Sequence, residues 1–576
     1  MKEKYTKSLF LLLIIFVSWV EASTGKTCDL LVFPTKAISS VPVIDKSSAE
    51  QNSSRNIDVV LSPNEFEPLS LVLVNNGSET CNELFVATTL IPSDVPGLSV
   101  DVRVVKRWYQ GGGAWKSIGR KGPSRLIPEL IVHDDTLIKI EHANKKNYLK
   151  VGGPDSKKYI NISKQNNKRG RVIHSATEYN IYDSDRLIPF DIEKGDIRQL
   201  WLNVHALKSV RPGLYKARVL ISQSNKKIKD LVFNIRVLDV DLKSPNILYS
   251  IFYRGKLVSG EGTVSSEYKD DEQYLNELIN LKDHGIQSPV IYQGFSDKYL
   301  FNRAMNIQRE VFDSDRPVFL ASISASTAIT MQKKNNMKKG ISYLERNKAA
   351  FGASEYFYFG KDEAVGNDLV QQKSSWQYAR NNGVRIFTTG YEGTYSKVGT
   401  YLDLLILAGR PKPTEIVKIH KANGLVYTYA FPQSGPENPL LFRKNYGLAL
   451  WQVKVDGAMP YVYHDSSQSV WNDFDHEKYR DHNFTYPTIN GVVDTLAWEG
   501  FREAVDDVRY VNTLNQLIFE LDSSASCISL SCRKRIAQGR SLLKSIKLSD
   551  LKNLQNIRSE MQDILVWLSG FKNDQN

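Results

Sequence analysis

The sequence predicts a multidomain protein, all-β at its start and α/β thereafter: an N-terminal antiparallel β-sandwich, a central (β/α)8 barrel of the TIM type, and a helical C-terminal extension. Three observations carry this. The first part of the chain shows short β-rich runs separated by turn residues, the middle alternates short apolar runs with helix-length segments, and the end repeats Leu, Ile and Val at helical spacing. At 576 residues the chain is also too long for a single hydrophobic core.

In the first part, runs at 57–61, 69–74, 84–90, 99–105 and 231–238 have the alternation and spacing of sandwich strands. A basic insertion at about 141–172 interrupts them. After Ser244-Pro245 the strands expected of the barrel fall at 247–253, 289–292, 317–323, 355–359, 384–388, 402–407, 425–430 and 458–463. Helical spacing over 272–281 is stopped by Gly285, and similar segments follow at 337–351 and 369–382. A doubly wound open sheet is the rival topology, weakened by Arg254-Gly255-Lys256-Leu257 after the first strand, which is no Gly-rich phosphate turn. Helical patterning over 503–516 and 533–567 ends the chain. The divisions are a leader over 1–22, the sandwich over 23–243, the barrel over 244–518 and the extension over 519–576.

A hydrophobic fraction of 41% and a charged fraction of 24% read as globular, excluding a disordered chain or a membrane transporter. Lys2, Lys4 and Lys7 precede an apolar run over 9–17 and then Ala22, the pattern of a secretory signal peptide, so the expected location is extracellular, or periplasmic if bacterial. The run is short for a bilayer span, and no integral membrane segment is expected in the mature chain. Export permits disulfides, and the four cysteines divide into Cys28 with Cys81 and Cys527 with Cys532. The triplets at Asn52, Asn76, Asn161 and Asn483 arise by chance often enough to say little about glycosylation.

The formal charge of +12 is concentrated partly in Lys145, Lys146, Lys150, Lys157, Lys158, Lys164, Lys168, Arg169 and Arg171. A solvated loop is the bland reading of this run, and an anionic glycan partner the sharper one. No nucleic-acid recognition motif accompanies it.

Chemistry points to one acidic pair. Asp134-Asp135, Asp270-Asp271 and Asp506-Asp507 show that adjacency alone means little. Asp362-Glu363 differs by following the aromatic strand Tyr356-Phe357-Tyr358-Phe359, at the C-terminal face where βα loops build barrel active sites. Glycoside hydrolysis needs a proton donor and support for positive charge at the anomeric carbon, and carboxyls supply both. Consecutive strand residues point to opposite faces, so both acids reach one pocket only if the backbone turns after Lys361, with Gly360 placed to tolerate the bend. Neighbouring carboxyls are too close to flank a sugar ring from both sides. That favours a substrate whose own 2-acetamido oxygen is the nucleophile.

Four segments carry a family resemblance: Leu200-Trp201-Leu202-Asn203-Val204, Pro212-Gly213-Leu214-Tyr215-Lys216, the stretch Tyr356 to Glu363, and Trp498-Glu499-Gly500-Phe501-Arg502-Glu503-Ala504-Val505-Asp506-Asp507. Together they resemble glycoside hydrolase family 123, the β-N-acetylgalactosaminidases, over most of the mature chain. The resemblance implies that Asp362 orients the acetamide and Glu363 is the acid/base. The chain departs from it with Ala364, where members often have Pro, and with the basic insertion.

Aromatic residues at strand ends, Tyr253, Tyr292, Tyr358, Tyr429 and Tyr463, are candidates for sugar binding, with core packing the competing role. Trp498, Glu499 and Arg502 are expected to be structural, the latter two as an ion pair fixing the last helix. Trp451 on a helix is read as structural, and His464 and His482 as surface histidines. No metal ligands cluster in the sequence, so neither a metal nor another cofactor is expected. The function expected is a secreted retaining hydrolase of terminal β-linked 2-acetamido-2-deoxyhexosides, N-acetylgalactosamine favoured. A hydrolase of a non-acetamido or sulfated galactan, and a non-catalytic glycan-binding surface protein on a degenerate barrel, are the alternatives.

Overall fold

The computed structural model describes residues 28–111, 124–153, 155–164, 179–435, 437–466, 468–475, 480–523, 527–547 and 553–573. The leader, and Lys168, Arg169 and Arg171 of the basic run, lie outside the described residues.

Two β-sheets open the fold. One has seven strands in the order Leu30–Thr35, Glu65–Asn75, Ile197–Ala206, Leu98–Gly111, Ser124–Val132, Val492–Thr495 and Thr485–Pro487. The other orders Phe190–Ile192, Cys81–Ile91, Gly213–Gln223, Lys226–Val237 and Val59–Leu61. Alternation decides what they bury: in Gly213–Gln223, Ala217, Val219 and Ile221 turn inward while Lys216 and Arg218 do not. With Leu71, Leu73, Leu200, Leu202, Phe233 and Ile235 they form a shared core, each full burial of a large side chain worth about 1.5–3 kcal/mol. Cys28 and Cys81 are joined by a disulfide, as are Cys527 and Cys532.

The last two strands of the larger sheet come from far down the chain. Asp494 pairs with Ile131 and Thr495 with Leu130, so the chain returns to the sandwich after the α/β region. The described part of the basic run lies on a three-stranded sheet, Ile138–Glu141, Lys146–Lys150 and Tyr159–Asn161. Within it Lys150 is buried against Asp134 at 2.9 Å and Lys158 sits 4.4 Å from the Tyr179 ring, so these two lysines are not simply solvated. Asn52 and Asn483 are buried as well.

All eight expected α/β strands are present, every neighbouring pair parallel. The first run, Leu248–Tyr249 with Phe252–Tyr253, pairs with Gly457–Ala458 on one side and Val290–Ile291 on the other. Between them lie Arg316–Ser324, Ala353–Phe359, Arg385–Gly390, Leu404–Leu407 and Leu425–Thr428. Alternate residues Phe252, Phe319, Phe357, Phe387, Ile406 and Tyr427 cluster inside this sheet, while their sequence neighbours pack against helices. The helical layer departs from an eightfold repeat. Asp271–Asp283, Lys298–Val311 and Met331–Arg346 are full crossover helices, but between Arg385–Gly390 and Leu404–Leu407 the chain is too short for one and forms Thr394–Val398 and a 3-10 turn.

The helices Leu496–Ser523, Leu530–Ser545 and Leu554–Asn573 finish the fold around a third cluster, which includes Leu238, Val240 and Leu242 from the end of the sandwich. Arg558 lies fully buried among Glu503 and Asp507 at 2.7 Å each and Glu67 of the sandwich at 3.0 Å. Arg443 bonds Asp507 at 2.8 Å. Burial, with Asp506 nearby, pushes Glu65 in the same cluster up to about 8. No described helix is long and apolar enough to cross a membrane.

Candidate active site

Strand Ala353–Phe359 delivers Asp362 and Glu363 to the C-terminal end of the parallel sheet. Gly360 donates its N–H to the Phe387 carbonyl at 2.9 Å. A Cβ at this glycine would meet Thr388 Oγ1 at 2.9 Å and the Trp376 ring at 3.1 Å, so Gly360 serves a close approach of two strands. The backbone turns after Lys361 as expected, at Asp362 and Glu363, and Glu363, with a φ of 47°, takes the left-handed conformation rather than Gly360. Holding a non-glycine residue there costs on the order of 1–3 kcal/mol. Local bonds support it: Thr388 Oγ1 donates to the Lys361 carbonyl at 2.9 Å, and the Lys361 N–H donates to Gln372 Oε1 at 2.7 Å.

The turn aims two unlike carboxyls. Asp362 is exposed and Glu363 half-buried. Thr389 Oγ1 accepts the Glu363 backbone N–H at 2.9 Å and donates to Asp362 Oδ1. The Tyr391 hydroxyl donates to Glu363 Oε2, and this bond, with burial and the charge of Glu363 adding to it, pushes the phenol up to about 12. Lys361 pairs with Asp368, and among the described residues no ion pair neutralises Asp362 or Glu363.

Across the mouth, Arg254 Nη1 lies 3.3 Å from both the Tyr461 hydroxyl and Asp465 Oδ2, and its other terminal nitrogen bonds Glu267. Lys256 meets Glu267 at 3.0 Å, so this wall is charge-balanced. The Tyr292 ring lies 5.9 Å from the Arg254 guanidinium. Burial raises the Tyr292 phenol, Arg254 opposes the rise, and Asp362 and Asp465 reinforce it, which places Tyr292 within electrostatic reach of both walls.

The expected aromatic residues divide by strand face. Tyr292 and Tyr429 belong to the inner cluster that rises to the mouth. Tyr253, Tyr358 and Tyr463 face the helical layer, a correction of their reading as sugar contacts: the Tyr253 hydroxyl donates to Glu277 at 2.7 Å, that of Tyr463 to Asn280 at 3.0 Å, and Tyr358 is wholly buried near Gly340. His464 is fully buried against Thr485 and so is not a surface histidine, while His482 is half-buried, its Nδ1 3.1 Å from the Ser434 carbonyl. Sequence reasoning missed Thr389, Tyr391, Arg254, Tyr461 and Asp465. The available signal was that each sits at or near the end of a strand, as Asp362 does.

Trp498, Glu499 and Arg502 lie away from this mouth. Glu499 pairs with Arg502, which also reaches Asn203 at 3.0 Å and the Phe66 ring at 4.7 Å, pinning the last helices to the sandwich. There the fold also gathers His284, Asp494 and Glu499, with ligand-type atoms within 4.8 Å of one another, a cluster not visible in the sequence. Arg502 on Glu499 and Arg103, 3.5 Å from Asp494, already balance its carboxylates, and His284 stacks on Trp498. The donor set fits an ion-pair network.

No protein-family model matches the sequence, and no curated protein matches it. Solved structures do. A family 123 glycoside hydrolase from Clostridium perfringens, studied for glycolipid glycan hydrolysis, superposes with a TM-score of 0.61 at 11% identity, covering 95% of this chain and 99% of that one. The chain has a family 123 glycoside hydrolase fold. A family 39 glycoside hydrolase from Bacteroides cellulosilyticus aligns at a TM-score of 0.31 and 9% identity over 56% of this chain and 75% of that one, too loosely to bear on the fold. The family 123 fold spans both the sandwich and the parallel sheet, matching the extent of the resemblance seen in the sequence.

Proposed function

We propose that this protein is an exported, retaining glycoside hydrolase that removes terminal β-linked 2-acetamido-2-deoxyhexosides, N-acetylgalactosamine favoured, by substrate-assisted catalysis on a (β/α)8 barrel whose strands run from Leu248–Tyr249 to Gly457–Ala458, short of the expected bound at 518 because the chain returns to the sandwich sheet at Thr485–Pro487 and Val492–Thr495. The observation that carries the reading is the Asp362–Glu363 turn, two adjacent carboxyls held by different donors at the mouth of a parallel sheet. The two disulfides are compatible with an oxidising compartment.

In this reading the acetamido oxygen attacks the anomeric carbon as the bond to the leaving oxygen breaks. Glu363 gives its proton to that oxygen. Asp362 accepts the acetamido N–H and balances the charge of the cyclic oxazolinium intermediate. Water then attacks the anomeric carbon, Glu363 takes its proton, and the ring opens with retained configuration. In this reading Tyr292 and Tyr429, on the inner face of the sheet, contact the sugar.

A panel of aryl β-glycosides with and without the acetamido group tests the proposal. The expected result is cleavage of the acetamido sugars alone. Equal cleavage of the simple galactoside would require another nucleophile, and binding without any cleavage would mean a glycan-binding protein.

A further inference from the structure

The two acids stand on one turn, yet the donors that distinguish them come from the next strand. Thr389 ends the inward face of Arg385–Gly390, and Tyr391 follows it. One hydroxyl, Thr389 Oγ1, accepts the Glu363 N–H at 2.9 Å and spends its proton on Asp362 Oδ1. Since a hydroxyl has a single proton, Asp362 can take that bond only as an acceptor. The Tyr391 phenol, itself 43% exposed at the mouth, donates to Glu363 Oε2. The Tyr391 N–H donates to Thr394 Oγ1 at 3.1 Å, fixing the loop that carries it.

We propose that Thr389 and Tyr391 are positioning residues that divide the labour of the acid pair, Thr389 by holding Asp362 as the carboxylate that faces the acetamide and Tyr391 by supporting the charge Glu363 acquires as it gives up its proton. This rests on the proposed function of Asp362 and Glu363. Thr389 also restrains the left-handed backbone of Glu363, since its oxygen is the acceptor for that residue's amide. A Tyr391 hydrogen bond that strengthens as Glu363 becomes negative favours the transition state over the bound substrate, so it acts on kcat more than on KM.

The directions of the pH effects follow from the roles. A carboxyl that loses a donor to its charged form keeps its proton to higher pH. Glu363 acts first as an acid, so Tyr391→Phe moves the alkaline limb of the pH–rate profile upward. Asp362 acts ionised, so Thr389→Val moves the acidic limb upward, and Thr389→Ser restores it.

The experiment uses the full chain and an aryl 2-acetamido-2-deoxy-β-galactoside across pH, joined to two readouts that need no turnover. NMR titration of ring-labelled tyrosine, with Tyr391 assigned by its loss in Tyr391→Phe, should find its phenol titrating at about 12 and falling toward 10 in Glu363→Gln. The Glu363 amide should exchange faster with solvent in Thr389→Val than in Thr389→Ser. Opposite-limb movements with these two changes support the proposal. A Tyr391 titration unmoved by Glu363→Gln together with an unchanged Glu363 amide overturns it, whether or not the enzyme turns over. Intact spectroscopic coupling in a chain that cleaves no acetamido glycoside would instead sink the function and leave the wiring standing.

Discussion

Glu363→Gln is expected to cripple cleavage of glycosides with poor leaving groups while sparing activated aryl glycosides, which depart without a proton. Loss of a general acid costs about 10²–10⁴ in rate. Asp362→Asn should slow both substrate types, because each passes through the same charged intermediate and loses the same carboxylate. The asymmetry is what the geometry leads one to expect: Glu363 is half-buried against Tyr391, and Asp362 is exposed with Thr389 as its donor. Rates for a leaving-group series in the two variants, each checked for native melting, measure it. Full activity of both folded variants would reduce the pair to a polar strand cap.

Arg558→Met is expected to destabilise the fold by about 3–5 kcal/mol, the usual cost of stripping one partner from a buried ion cluster. Arg558 is fully buried and is the cation shared by Glu67, Glu503 and Asp507, residues from the sandwich and from the helix Leu496–Ser523. Methionine fills similar space but leaves those carboxylates facing one another. Lys572→Met is the control, because the Lys572–Glu520 pair at 2.8 Å is exposed and such pairs contribute roughly 0–1 kcal/mol. Denaturant unfolding of both variants compares them, and a loss of under about 1 kcal/mol for Arg558→Met would show that the cluster does not hold the units together.

Strand positions were legible because each is a short apolar run between turn residues, and Tyr356 to Phe359 became a strand ending just before the acids. Side-chain direction was not. Strands buried on both faces read as unbroken apolar runs without the alternation that marks one wet face. Hence Tyr358, which turns to the helices, looked equivalent to Tyr292, which turns to the mouth. The rest of the site is non-local: Arg254, Thr389, Tyr391, Tyr461 and Asp465 lie on other strand ends, and only the pairing of strands brings them near the acids. The return of the chain to the sandwich had a signal that was passed over, Asn490-Gly491 between two β-branched or aromatic segments, the usual mark of a tight hairpin. The bend after Lys361 was legible, but the part given to Gly360 in it was not the one it plays. Glycine marks both turns and close approaches, and Gly360 serves the second.

Substrate assistance is the central claim, and its most direct measurement is the rate of cleavage of aryl 2-acetamido-2-deoxy-β-galactosides carrying zero, one, two or three fluorines on the acetyl group. Fluorine withdraws electrons from the acetamido oxygen without changing the leaving group. If that oxygen attacks the anomeric carbon, kcat/KM falls progressively with each fluorine. A rate indifferent to fluorination would contradict the account, because a nucleophile supplied by the protein or by water would not sense the substituent.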